Sequence, residues 1–344
     1  MTVPTLSAVM TNYNHAHFLP EAVQSILSQS YQPSELIIID DASTDNSFEI
    51  LEQFAQKHPF IRLIRNEQNR GVLYNLQRLL ELASGDYFVG LASDDKFLPG
   101  YLEKSMCLLQ QYPQAGFCAT PTRLIDEAGR DIGLAPTPII SNKPCFLSPT
   151  ESLQILRQHG HWFPGNTSVY RRQALIEAGG YIAELRSYCD GFISEVLALK
   201  YGACYIPEPL GAWRWLGTGY FSSTMANVDL SQEIMGQAKQ LMQTTYRKLF
   251  PPDYIAIWEK HWLYTTNVCV LNNLQNEQQR YLAKLNRLFP TPTLPDRLFL
   301  ATQRVLLKIQ YASARLYLFA RLRRKTWELI RRRLIGRPRL NSRL

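Results

Sequence analysis

Two acidic pairs carry most of the chemical potential of this 344-residue sequence: Asp40-Asp41, directly after the apolar run Leu36–Ile39, and Asp94-Asp95, directly after Tyr87–Ser93. A single Asp-Asp at the end of a strand is most simply a turn or a helix cap. Two such pairs, one followed by Ala-Ser-Thr-Asp-Asn, fit that reading less well. Carboxylates held close together repel one another unless a cation or hydrogen-bond donors stand between them, so the pairs point to a bound divalent ion. Oxygen ligands with no His or Cys nearby favour Mg2+ or Mn2+ over Zn2+. A further acid, Asp190 in Tyr-Cys-Asp-Gly-Phe, opens a helical segment, where an N-cap is its simplest role. Trp162, Trp213 and Trp215 offer flat faces on which a ligand could pack, although a Trp is equally at home in a core. His161 and Arg214 carry nitrogen donors suited to phosphate.

The elements that must position these residues are legible from periodicity. Short β-rich runs at 6–10, 35–39, 61–65, 87–92 and 116–120 alternate with segments of helical period at 19–30, 46–58 and 72–83, the pattern of a βαβ series and a mostly parallel sheet. Pro20 and Gly71 stand where helices begin. The Leu36–Ile39 run is apolar on both faces, as expected of a strand covered by helices above and below. Both acidic pairs then lie at the carboxyl edge of the sheet, where such folds bind ligands. From 126 to 164 the chain is rich in Pro and loses its periodicity, apart from a helix near 149–159, which reads as an active-site loop region. Strand, helix and strand follow at 166–170, 187–201 and 203–207, and after about Ser231 the pattern is helical to the end.

Taken in order, the blocks SAVMTNYNHAHFLPEAVQSILSQSY, ELIIIDDASTDNSFEIL, NRGVLYNLQRLLELASGDYFVGLASDD, GNTSVYRRQALIEAGGY and YCDGFISEVLALKYGACYIPEPL resemble those of family-2 glycosyltransferases. The resemblance runs from about Thr5 to Arg214. It implies an α/β fold of the GT-A, Rossmann-like type: a mostly parallel central sheet flanked by helices, here with a C-terminal helical extension. The expected division is a glycosyltransferase domain over 1–230, made of a nucleotide-sugar-binding half (1–125) and an acceptor-binding half (126–230), followed by a helical region over 231–344.

The resemblance also implies roles. Thr11, Asn12 and Tyr13 would line the nucleoside pocket, Asp40 and Asp41 would receive base and ribose, and Arg70 would lie over the base or near the phosphates. Asn75 and Ser93 join that nucleotide-binding set. Asp94 matches the last acid of the family's DxD element, which holds a metal on the diphosphate, with Asp95 beside it; the first acid of that element is Ala92 here. Asp190 falls at the catalytic base, with Cys189 in place of the usual preceding Glu and Glu195 as a second candidate. His161, Trp162, Trp213 and Arg214 are the expected acceptor-binding residues. The implied activity is metal-dependent, inverting transfer of a sugar from a nucleotide-diphosphate donor to a carbohydrate or lipid-linked acceptor, with Mg2+ or Mn2+ as cofactor. The alternative is a catalytically silent nucleotide-sugar or glycan-binding protein, motivated by Ala92 and Cys189.

Composition narrows the classes further. The six cysteines stand far apart without a CxxC pair, a poor pattern for zinc or a disulfide scaffold. No secretory signal and no run of about 18 apolar residues is evident, so a cytoplasmic protein is expected, peripheral at the inner face of the membrane. Its net charge of +8 is unevenly placed, with 14 Lys or Arg against the single acid Glu328 from Arg297 onward. Apolar positions 298, 305, 309, 312, 316 and 319 alternate there with Arg304, Lys308, Arg315, Arg321, Arg323 and Arg324. Such a basic amphipathic helix suits an anionic membrane surface or a helix packed on the body with its basic face solvated. No helix-turn-helix, finger or RNP pattern supports nucleic-acid binding, and Walker A, HExxH and GxSxG are absent.

Overall fold

A computed structural model describes residues 3–216 and 219–273. Twelve strands occur among them: β1 (Leu6–Asn12), β2 (Glu35–Asp40), β3 (Ile61–Arg65), β4 (Tyr87–Ala92), β5 (Lys96–Phe97), β6 (Phe117–Ala119), β7 (Thr122–Ile125), β8 (Asp131–Leu134), β9 (Cys145–Leu147), β10 (Ser168–Arg171), β11 (Ala203–Tyr205) and β12 (Gly211–Arg214). The helices are α1 (Leu19–Leu27), α2 (Ser47–Lys57), α3 (Val72–Leu82), α4 (Tyr101–Gln111), α5 (Pro149–His159), α6 (Arg172–Glu177), α7 (Cys189–Tyr201), α8 (Tyr220–Ala226), α9 (Val228–Gln243) and α10 (Pro252–Asn273).

The main sheet has the order β3-β2-β1-β4-β10-β6-β11-β9. Its β3-β2-β1-β4 half is parallel throughout, and β10 runs antiparallel to both β4 and β6. A second sheet, β5-β12-β7-β8, is built from short strands. This is the α/β, GT-A-like architecture expected, with two local differences. The Pro-rich stretch holds the strands β8 and β9, because three- or four-residue strands are too short to show a period. The strand expected at 166–170 begins instead with a 3-10 turn at Gly165–Thr167.

Physical reasons for the elements are local. In α1 the residues Leu19, Ala22, Val23 and Ile26 fall on one face and are all buried, with Pro in the first turn where no helical N–H is needed. Leu36–Ile39 of β2 are fully buried, as a strand with helices on both faces must be. In α7, ten of thirteen residues are buried, so this helix is embedded in the body and presents only its ends to solvent. The apolar faces of α1 and β2 join a core with β1, β4 and α4.

The described residues form two compact units, one of 3–221 with 236–252 and the other of 222–235 with 253–273. In the second, Trp262 Nε1 donates to the Ser231 carbonyl at 3.1 Å, and Ser231 Oγ pairs with Thr266 Oγ1 at 2.7 Å. The basic amphipathic stretch expected beyond Arg297 lies outside the described residues.

Candidate active site

The crevice forms where the strand order turns back: β1, β2 and β3 run to one side, and β4 returns to the other side of β1. Loops leaving adjacent strands diverge at such a point and leave room for a ligand. His15, in the loop after β1, and Ser93, after β4, meet across it with Nδ1 and Oγ 2.8 Å apart.

Asp40 ends β2 fully buried. Its Oδ1 accepts from Asn12 Nδ2 at 2.9 Å and from Ser43 Oγ at 2.6 Å, and its Oδ2 accepts from the Ser43 N–H at 3.1 Å. Asn12 is buried too and also donates to Ser43 Oγ at 3.1 Å. Asp40 and the Asn12 amide nitrogen thus brace the ends of β1 and β2, while the buried Asn12 Oδ1 has no hydrogen-bond partner.

Asp41 is held differently. Its Oδ1 accepts from Asn66 Nδ2 at 2.7 Å and the Arg70 N–H at 2.9 Å, while Oδ2 accepts from the Gly71 N–H at 2.8 Å. Burial works to raise its pKa, and these donors outweigh burial and hold it below the ordinary value. Gly71 has φ +85°, a conformation glycine adopts freely, which lets two consecutive N–H groups face one carboxylate. Ala42, between the two acids, has φ 61°, a strain of about 1–3 kcal/mol that the surrounding hydrogen bonds impose. Asn75 is fully buried in α3 and accepts from Asn66 Nδ2 at 2.8 Å, so it supports Asp41 through Asn66. Thr11 is half-buried, Tyr13 and Arg70 are exposed, and the Arg70 guanidinium lies 5.7 Å from the Tyr74 ring centroid.

At the end of β4 the second pair divides. Asp94 is half-exposed, whereas Asp95 is turned inward. Asp95 Oδ1 accepts from the Arg214 N–H at 2.9 Å, and Oδ2 accepts from Asn166 Nδ2 at 3.0 Å. Burial, and then the adjacent Asp94 charge, push the Asp95 pKa up against those donors. Of the two metal candidates, Asp95 is the buried one, with a protein donor on each oxygen, and Asp94 is the more exposed. Ala92, where the resembled motif has an acid, is exposed at the same edge. Among the described residues no three His, Cys, Asp or Glu side chains gather as a metal-binding set. A divalent ion fits this edge only through Asp94, with diphosphate and water completing its shell, an arrangement Mg2+ accepts readily. The electrostatics agree: a cation at Asp94 would offset the charge that now bears on Asp95.

Asp190 stands in the first turn of α7, partly exposed, with Oδ1 accepting from the Gly191 N–H at 2.7 Å. Burial raises its pKa, and the Gly191 N–H and the nearby His161 ring pull it partly back. Ser194 Oγ donates to the Asp190 carbonyl at 2.7 Å and pairs with Tyr170 on β10 at 2.9 Å, which ties the start of α7 to the sheet. Gly165 makes the position possible, since a Cβ there would lie 1.9 Å from Asp190 Oδ2. The next residue, Asn166, is the one that holds Asp95. One short turn thus has the Asp190 carboxylate against one residue and Asp95, the neighbour of Asp94, hydrogen-bonded to the next.

Several expected residues are placed elsewhere. Trp162 is buried, near-parallel to Phe117 at 6.0 Å between ring centroids and edge-on to Tyr205, so it belongs to the core and not to an acceptor site. Arg214 is buried with its guanidinium bonded to the protein, which removes it from acceptor binding. Glu195 is buried and accepts from Tyr188 at 2.9 Å, with His161 Nδ1 at 3.7 Å, so Asp190 is the better placed of the two candidate bases. Cys189, where the resembled motif has a Glu, is buried and its thiol pKa is pushed well up by burial. His161 is half-exposed, and Trp213 meets Trp215 edge-on at 5.7 Å, with Trp215 42% exposed. Sequence reasoning missed Ser43, Asn66, Gly165 and Asn166. An Asn preceding a Gly-initiated helix and a Gly-Asn pair before a strand were the available signals, and both are common in ordinary turns.

The chain matches the model of the family described as Glycosyl transferase family 2 over residues 7–179. EpsE of Bacillus subtilis (strain 168), named as a glycosyltransferase, is 38% identical over 127 residues, 37% of this chain and 46% of EpsE. The match therefore spans less than half of that relative's length. Among solved structures, S. aureus TarS 1-349 in complex with UDP-GlcNAc superposes with a TM-score of 0.62 at 16% identity, covering 88% of this chain and 87% of TarS 1-349. The mannosyltransferase PcManGT from Pyrobaculum calidifontis, in complex with GDP-Man and Mn2+, gives 0.57 at 19% identity over 95% of this chain and 88% of its own. At these identities the structural likeness shows a shared fold.

Proposed function

The chain belongs to glycosyl transferase family 2, and from that premise we propose that it is a glycosyltransferase that moves a sugar from a nucleotide-diphosphate donor to a hydroxyl of a carbohydrate or lipid-linked acceptor, with inversion and with Mg2+ or Mn2+. The observation that carries this reading is the Gly165–Asn166 turn, which has the Asp190 carboxylate against one residue and Asp95, the neighbour of Asp94, hydrogen-bonded to the next. In the proposed step the acceptor oxygen bonds to the anomeric carbon, the bond from that carbon to the diphosphate oxygen breaks on the opposite face, and the hydroxyl proton passes to Asp190. A carboxyl whose pKa is raised by burial is a stronger base for that task than an exposed one. Asp41, kept ionised by its donors, would accept from the N–H and O–H groups of the nucleoside. The metal, when bound at Asp94, supplies Lewis-acid stabilisation of the charge on the departing diphosphate.

The complexes of TarS with UDP-GlcNAc and of PcManGT with GDP-Man and Mn2+ support a donor of this class and a divalent ion. Trp213 and Trp215 fit a carbohydrate acceptor, whose C–H faces pack on aromatic rings. The test is a panel of nucleotide sugars with and without Mn2+, followed by Asp94→Ala. Transfer or hydrolysis of at least one donor is expected, with loss of about 10²–10³ in kcat in the variant. Asp94→Ala with wild-type rate and unchanged metal dependence would refute the assignment.

A further inference from the structure

Arg214 is a buried arginine bonded in five directions at once. Its backbone N–H binds Asp95 Oδ1 at 2.9 Å, and its Nε donates to the Asp94 carbonyl at 2.8 Å. Nη1 donates to the carbonyls of Asp126 at 3.0 Å and Glu127 at 2.9 Å, in the turn between β7 and β8. Nη2 donates to Glu21 Oε2 at 2.6 Å in the first turn of α1, and Glu21 Oε1 in turn takes Lys96 Nζ at 2.6 Å. The face of the guanidinium lies 4.6 Å from the centroid of Phe18, just before α1.

We propose that Arg214 is a positioning residue for the donor site: it fixes the Ser93–Asp95 turn so that Asp94 alone is offered to the cation and diphosphate while Asp95 stays turned inward. The inference rests on the donor-site reading above and adds a residue to it. Two acids in adjacent positions after a strand can exchange roles with a small rotation of the turn. Here the Arg214 side chain grips the turn at the Asp94 carbonyl, while its backbone N–H, which every substitution keeps, shares the Asp95 carboxylate with Asn166 Nδ2. On the other side Ser93 is held by His15. A planar guanidinium can serve a carbonyl, a second pair of carbonyls and a carboxylate in one plane while stacking on a ring. A lysine ammonium is a point charge that can satisfy part of that set.

A merely structural arginine would lower stability everywhere, whereas a positioning residue loosens one turn and weakens what that turn binds. The experiment compares the full chain with Arg214→Gln and Arg214→Lys, and with Glu21→Gln, which keeps the arginine and removes the charge of its partner at Nη2. Amide hydrogen exchange is followed in residues 92–96 and, as reference, in 36–39. Calorimetry then measures UDP and GDP, each with and without Mn2+. The expected result in Arg214→Gln is exchange faster by about tenfold or more in 92–96 with 36–39 unchanged, and a Mn2+-dependent gain in nucleotide affinity reduced by about tenfold, the scale of a lost charge-assisted hydrogen bond. Arg214→Lys should recover part of both. Glu21→Gln should move them the same way by a smaller factor, and it decides the matter if Arg214→Gln does not fold. Unchanged exchange in 92–96, or equal acceleration in both segments, would overturn the proposal. If the wild-type chain binds neither nucleotide, the donor-site reading falls, while the exchange data still decide what Arg214 holds.

Discussion

Asp190 and Asp41 are both carboxylates at the edge of one sheet, and their surroundings move them in opposite directions. Burial raises Asp190, so the acid limb of its pH–rate profile should lie above that of an ordinary aspartate, and activity should fall as pH drops through that limb. His161 is one of the groups lowering it, so His161→Gln should move the limb to higher pH, read from kcat/KM against pH. Asp190→Asn should lower kcat by about 10²–10⁴ with nucleotide affinity by calorimetry unchanged. Asp41 has a folded pKa below its unfolded value, so it contributes stability above the unfolded pKa that is lost as pH falls through the folded one. Asn66→Ala removes a donor from Asp41 and leaves Asn75 Oδ1 and Arg78 Nη1 without their partner. A loss of about 1–3 kcal/mol in denaturant unfolding, and earlier unfolding on acidification, are expected.

The elements explain why these residues meet. The Gly165–Thr167 turn and the first turn of α7 touch because a glycine leaves room for the Asp190 carboxylate. Gly165→Ala should force that carboxylate aside at a cost of about 1–3 kcal/mol, the range for overpacking. Turnover should fall much further than nucleotide affinity, a split that steady-state kinetics beside calorimetry would read. The parallel βαβ half was legible because LIII is apolar on both faces and α1 repeats its apolar residues at helical spacing. The second sheet was not legible, since β5, β7, β8 and β12 have two to four residues each and take their conformation from their neighbours.

At the scale of the molecule, a ligand that binds the native chain raises its melting temperature by linkage. Mn2+ with the correct nucleotide at about a hundred times its Kd should stabilise by about 2.7 kcal/mol, so a thermal-shift screen over nucleotides would identify the donor base. No helix among the described residues is long and apolar enough to cross a membrane. The basic stretch beyond Arg297, where apolar and cationic positions alternate at helical spacing, is proposed to contact an anionic membrane surface. Replacing Arg321, Arg323 and Arg324 with Gln should weaken co-sedimentation with anionic vesicles and leave the low binding to zwitterionic ones unchanged.

By itself the sequence determined the parallel half of the sheet, the carboxyl-edge location of both acidic pairs, and the family, because each is written in short-range patterns of residue type. Tertiary structure alone decided how each acid is surrounded: Asp40, Asp41 and Asp95 are buried and Asp94 is half-exposed. Asn12, Asn166 and the Arg214 N–H reach Asp40 and Asp95 from other strands and turns, up to 119 positions away in the chain, and Ser43 closes on Asp40 from the loop that follows it. A carboxylate's role depends on the donors that surround it, and donors from distant segments leave no mark in the residues on either side.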